Sequence, residues 1–174
     1  AQKVALAHRR FKDTQLLSGT HDELVTAKKN LQQRLDDLNS ELNIYMAKKY
    51  GINTEKEDVY KQWLSTHEPF NWFVEFYDVI HNSGGFDVII GKPPYVVYNK
   101  KDKTTKKSMA DTYKLINYST INADNLYVFT IERSLKILNS NKRFSMIVPL
   151  SLQCATNMSN IRSLLAKNLN TYYS

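Results

Sequence analysis

Apolar positions recur along the first half of the chain at helical spacing. Val4, Ala7, Phe11 and Leu16 fit one short helix, and Gly19 interrupts it. Thr20 followed by Glu23 has the form of a capping box, in which hydroxyl and carboxylate each satisfy an orphan amide at a helix start. Leu24, Leu31, Leu35, Leu38, Leu42 and Tyr45 then keep a three-to-four spacing up to Gly51, a good stop residue. This predicts a long amphipathic helix whose stripe needs a cover, and the first helix folding back is the nearest one. Thr54 and Glu57 repeat the capping pattern and predict a shorter helix to about Ser65. The aromatic run Pro69–Tyr77 reads as a clamp between elements, although rings in such a run could also stack on bases.

The period changes after a turn at Asn82-Ser83-Gly84-Gly85. Phe86–Gly91 has a continuous apolar centre, which predicts a parallel strand buried on both faces. Lys92-Pro93-Pro94-Tyr95 stops it, because prolines cannot continue a ladder. Residues 96–122 are polar and aperiodic, and read as a long loop. Residues 125–139 predict an amphipathic helix with Tyr127, Ile131, Leu135 and Leu138 on one stripe. Residues 143–148 form a second buried strand stopped by Pro149, and 157–168 a final helix. Strand, helix, strand, helix is the α/β pattern and predicts two parallel neighbouring strands. The domain division expected is a helical hairpin over 1–68 and an α/β part over 69–174.

Composition adds one local fact. The net charge is +7, and residues 92–114 hold seven lysines against Asp102 and Asp111, so this stretch carries +5 of it. Lys100, Lys101, Lys103, Lys106 and Lys107 follow the strand end and suit a polyanion, with double-stranded DNA the usual partner; a merely solvated loop is the alternative. No apolar run is long enough to span a bilayer, and the N-terminus lacks a signal-peptide pattern. The single cysteine, Cys154, suits a reducing, cytoplasmic setting. No metal site is expected.

In an open α/β sheet, ligands bind at the carboxyl ends of strands, so Gly91–Tyr95 stands where chemistry would occur. Taken by itself, Pro-Pro-Tyr is also a plain strand terminator. Phe86-Asp87-Val88-Ile89-Ile90-Gly91-x-Pro93-Pro94-Tyr95 resembles motif IV of amino-methyltransferases, whose signature is Asn, Asp or Ser followed by Pro-Pro and Tyr or Phe. The approach is similar to that of type IIG restriction-modification enzymes: Pro69-Phe70-x-Trp72-Phe73-x-Glu75-Phe76, then Gly84-Gly85-Phe86-Asp87. So are the helix Asn125–Leu135, the strand Arg143–Pro149, and the helix ending Ala47–Ile52, which resembles that family's helical insertion. The likeness spans roughly residues 24–168.

The resemblance implies a partial Rossmann-like methyltransferase sheet. It implies methyl transfer from S-adenosylmethionine to the exocyclic amine of a flipped adenine in duplex DNA. In that family the asparagine and the first proline carbonyl accept from the amine, and the tyrosine stacks on the base. Carried over, Pro93 is the carbonyl acceptor, Pro94 the stiffener and Tyr95 the stacking ring. Lys92 stands at the asparagine position, where an ammonium has three donors and no acceptor. The family's glycine-rich cofactor pattern has no counterpart, since no Gly-x-Gly occurs among the 174 residues. The chain therefore reads as an internal piece of a longer enzyme, inactive alone and not expected to bind the cofactor. The parent could carry a fused endonuclease. Other readings are an RNA-base or protein-glutamine methyltransferase, or a catalytically degenerate nucleic-acid-binding module. Self-association through a bare sheet edge or the helical seam is also expected.

Overall fold

A computed structural model describes residues 2–16, 20–115 and 117–168, and divides the chain into two compact units, residues 1–78 and 79–174. The aromatic run therefore belongs with the helices that precede it. The interruption expected at Gly19 lies outside the described residues.

The first unit is helical. α1 (Gln2–Leu16) lies against α2 (His21–Lys49), burying Val4 and Ala7 while Leu24, Leu31, Leu35 and Leu38 of α2 are half-buried. The fold-back cover thus forms. The Thr20 capping box is present: its hydroxyl accepts from the Glu23 amide at 3.3 Å and its own amide donates to the Glu23 carboxylate at 2.8 Å. That second bond and the Thr20 hydroxyl hold the Glu23 carboxyl below its usual range. At the other end, Gly51 at φ +79° closes the helix. Its amide donates to Lys48 O and that of Ile52 to Ala47 O, both at 3.0 Å.

α3 (Glu57–His67) begins later than its sequence suggests. Its N-cap is Lys56, and the box between Thr54 and Glu57 does not form. Before it Asn53 makes a turn, its side chain accepting from Glu55 N at 3.0 Å. Trp63 is buried, stacked on His67 and edge-on to Tyr50. α4 (Trp72–Glu75) carries the aromatic run, and Asn71 before it donates to Asn39 and, at 2.8 Å, to Asn43, both on α2. The run clamps an element, as its composition suggests. α5 (Tyr77–His81) follows.

The second unit holds a two-stranded parallel sheet, β1 (Phe86–Gly91) beside β2 (Leu138–Met146). Gly85 makes this junction possible. At φ +126° a Cβ there would lie 2.5 Å from the Ile137 carbonyl oxygen and 2.8 Å from Asn139 N. β2 starts earlier than residue 143 because its first turn is irregular. Phe86 pairs with Leu138 but Val88 with Arg143, and Asn141 takes φ +58° in the extra loop.

The expectation that β1 is buried on both faces is overturned. Paired residues share a face, so Ile89, Phe144, Gly91 and Met146 face the core, while Val88, Ile90 and Ser145 face away. Val88 is 57% and Ile90 74% exposed. The apolar run encodes a two-faced burial that this chain completes on one face.

The covered face packs on α7 (Leu126–Ile137) and α9 (Ser159–Asn168), where Tyr127, Val128, Ile131, Ile161 and Leu165 are buried with Met158. Each fully buried aliphatic side chain contributes about 1.5–3 kcal/mol. α7 is more enclosed than a single stripe implies, since Phe129, Glu132, Ser134 and Ile137 are buried too. It stops at Ile137, where Leu138 turns extended to open β2. The final helix is preceded by a 3-10 turn, Thr156–Met158, and by α8 (Ser151–Cys154), which the periodicity does not reveal.

The long loop has structure of its own: α6 (Met109–Thr112), a 3-10 turn at Ile121–Ala123, and a bridge from Val97 to Asn125. No described helix is long and apolar enough to cross a membrane.

Candidate active site at the end of the first strand

Gly91 closes the ladder by accepting from Ile147 N at 2.9 Å. The chain then leaves the sheet through Lys92, Pro93 and Pro94; Pro93 is buried, Lys92 and Pro94 exposed. Tyr95 is fixed from two directions. Its hydroxyl donates to Ile147 O at 2.7 Å, and its ring meets the buried Tyr127 edge-on, with centroids 5.9 Å apart and planes at 83°. Tyr95 as a whole is nonetheless 42% exposed. Lys92 Nζ lies over it, 4.9 Å from the centroid, within cation–π range.

The next residues tie the lysine loop to the start of α7. Leu126 N donates to Val96 O and Tyr98 N to Asp124 O, at 2.9 and 3.0 Å. Tyr98 is buried, and its hydroxyl donates to the Tyr113 carbonyl. Asp124 accepts from both Asn99 N and Asn99 Nδ2. Ala110 N returns to Tyr98 O at 3.2 Å, so the segment carrying Lys100, Lys101, Lys103, Lys106 and Lys107 closes on itself at Tyr98.

Within the loop, Asp102 is the organiser. Its carboxylate accepts from Thr105 and Thr104 amides and the Thr105 hydroxyl, which hold it below its usual pKa. Asp102 N donates to Lys107 O and Lys106 N to Asp102 O, at 2.8 and 3.0 Å. Asp111 is likewise lowered, first by the Ser108 amide and hydroxyl and further by Lys101 and Lys107. All five lysines are exposed on an ordered turn. The strand-end ring and the basic loop thus share one anchor, the first turn of α7.

Four further residues matter here. Asn125 is the N-cap of α7, and Tyr127 supports the ring. Asp124 fastens the loop. Glu132, 1% exposed, fastens the loop's far end, accepting from Ser119 N and Thr120 N at 3.0 Å, the Thr120 hydroxyl at 2.7 Å and Lys136 Nζ at 2.9 Å. Burial pushes its carboxyl up, but the Ser119 amide, Lys136 and Thr120 outweigh it and bring the pKa to about 2. Only the Asn125 cap has a clear sequence signal, a short polar acceptor before an apolar helix.

The residues present do not fit S-adenosylmethionine. The charged side chain at the β1 end, Lys92, repels a sulfonium. Gly84 and Gly85 form no open cradle: a Cβ at Gly84 would meet the Asn139 side chain, and one at Gly85 the chain's own backbone. Among the described residues, no cluster of three metal-binding side chains occurs.

A parallel two-stranded sheet packed on helices, whose first strand ends in a proline pair, a fixed aromatic ring and a basic loop, defines an α/β protein. The family comparison gives this class its name. The Eco57I restriction-modification methylase family model matches residues 7–173, and the chain belongs to that family. Membership places it among the DNA methyltransferases of restriction-modification systems. No curated protein and no solved structure matches it.

Proposed function

We propose that this chain supplies the base-facing edge of a DNA adenine-N6 methyltransferase of type IIG-like character. The observation that carries the reading is Tyr95. It is an exposed ring held rigidly at the carboxyl end of β1, directly after two prolines, in a chain of this methylase family. Base–aromatic stacking needs such a ring. Pro93 would offer its carbonyl to the target amine. S-Adenosylmethionine would supply the methyl group and be held by residues other than these, so titration calorimetry of this chain with the cofactor should show no saturable binding at micromolar concentration. A fused endonuclease and a cytoplasmic setting accord with the family.

Lys92 favours a second reading, a catalytically silent DNA-binding unit, because an ammonium cannot accept a hydrogen bond from the target amine.

Both readings need the loop on DNA. Duplex affinity measured across salt concentrations tests this with Lys100, Lys101, Lys103, Lys106 and Lys107 replaced together by glutamine. The slope of log affinity against log salt should fall by about 0.9 for each phosphate that the variant no longer neutralises. An unchanged slope removes the loop from the interface.

A further inference from the structure

We propose that Lys92 is a phosphate-released latch on the Tyr95 ring. The inference rests on the reading of Tyr95 as the base-stacking residue, and adds that the ring opens to a base only when the DNA backbone has drawn the ammonium away.

The ring cannot turn to avoid its neighbour. Its hydroxyl is bonded to Ile147 O and its edge abuts Tyr127. Lys92 Nζ, 4.9 Å from the centroid, stands in the layer that a stacked base would fill. Ring and ammonium are both solvent-exposed, so either a base or a phosphate can reach them. A base and the ammonium therefore compete for the ring. A phosphate and the ring compete for the ammonium, and here the phosphate wins, because a full negative charge attracts a cation more strongly than a ring quadrupole does. Lysine suits the exchange, being a compact charge on a flexible stem. The Lys100–Lys107 turn, anchored on the same first turn of α7, brings backbone to this end of the unit.

The experiment compares the wild-type chain with Lys92→Gln and Lys92→Arg on two duplexes, one with an unpaired adenine and one with an abasic site in its place. The ratio of the two affinities reports ring stacking, measured at low and at high salt. At low salt, phosphate frees the ring in the wild type, and Lys92→Gln should show the same ratio. At high salt the latch closes, and the ratio for Lys92→Gln should exceed that of the wild type by roughly two- to five-fold. Its salt slope should fall by about 0.9. Lys92→Arg keeps the charge and stacks on the ring, so its ratio should lie at or below that of the wild type. Equal ratios at every salt, in a protein whose adenine preference is abolished by Tyr95→Ala, overturn the latch alone. DNA binding with no adenine preference in any variant overturns the stacking role of Tyr95 and the latch with it, and absence of duplex binding overturns the DNA reading itself.

Discussion

Tyr95 and Ile147 are joined across the carboxyl ends of the two strands, the phenol donating to the Ile147 carbonyl at 2.7 Å while the Ile147 amide donates to Gly91. One residue just beyond the second strand thus pins both ends of Gly91–Tyr95. Removing the hydroxyl in Tyr95→Phe leaves the ring, and should cost about 0.5–1 kcal/mol of stability, the low end for a half-exposed bond. Affinity for a duplex with an unpaired adenine should change little. Tyr95→Ala should lose about 1–3 kcal/mol of that affinity. Urea unfolding and fluorescence anisotropy separate the two effects. If Phe loses as much adenine affinity as Ala, the hydroxyl rather than the ring makes the contact.

The architecture was readable where local rules and tertiary packing agree. The Thr20 capping box and the α2 stripe follow from local spacing, and the parallel order of β1 and β2 follows from the helix that connects them. It failed where the decisive partner lies elsewhere in the chain or outside it. The helix after Thr54 starts later than the spacing rule expects, at Lys56, behind a turn in which Asn53 accepts from Glu55 N. The irregular entry into β2 is set by Gly85 against the Ile137 carbonyl, many residues away in sequence. The apolar run 88–90 signals two-sided burial, but the sequence does not say which covering elements are at hand. At the candidate site, Pro93, Pro94 and Tyr95 are proposed from a sequence motif, whereas Tyr127 and Glu132 act through contacts that only folding creates.

Glu132 makes the unit acid-sensitive. Its pKa is lowered in the fold from 4.5 to about 2, so ionised Glu132 stabilises the folded state above about pH 4.5. That stabilisation is lost as pH falls through the folded value, since below both values the proton is bound either way. The full contribution is about 3 kcal/mol in order of magnitude. Glu132→Gln should therefore be markedly less stable at pH 7, and should lose less stability than the wild type between pH 5 and pH 2.5. Parallel acid limbs for the two proteins in urea titrations would show that the carboxylate does not hold Ser119 and Thr120 in solution.

On the motif IV resemblance, Lys92 stands where an amide would accept from the target amine. In an assembly competent for methyl transfer, with its cofactor-binding part present, Lys92→Asn should restore an acceptor and remove a repelling charge. The rate on adenine-containing duplex should rise by at least ~10²-fold, by analogy with single transition-state hydrogen bonds elsewhere. Quantification of N6-methyladenine in digested DNA is the measurement. Equal rates would mean that the Pro93 carbonyl suffices, or that the amine is oriented by other groups.

The bare face of the sheet predicts self-association. Val88, Ile90 and Ile147 are 57%, 74% and 65% exposed. Among the described residues β1 pairs with β2 alone, which leaves its outer edge open. Two strands alone make a marginal sheet. Fully burying one exposed side chain contributes about 1.5–3 kcal/mol, so covering what remains exposed of these three gives roughly 3–6 kcal/mol per chain. A two-fold contact uses the same patch on both copies and so doubles that sum. Association itself costs about 4–15 kcal/mol. The two sums are comparable, and the contact that buries these side chains stacks the bare faces of two copies across a two-fold axis. Sedimentation at low micromolar concentration should show the dimer. Ile90→Lys should return the protein to a monomer without unfolding it, because Ile90 takes little part in the core. A wild-type monomer at that concentration would defeat the argument, and a dimer indifferent to Ile90→Lys would move the contact to the α2 seam.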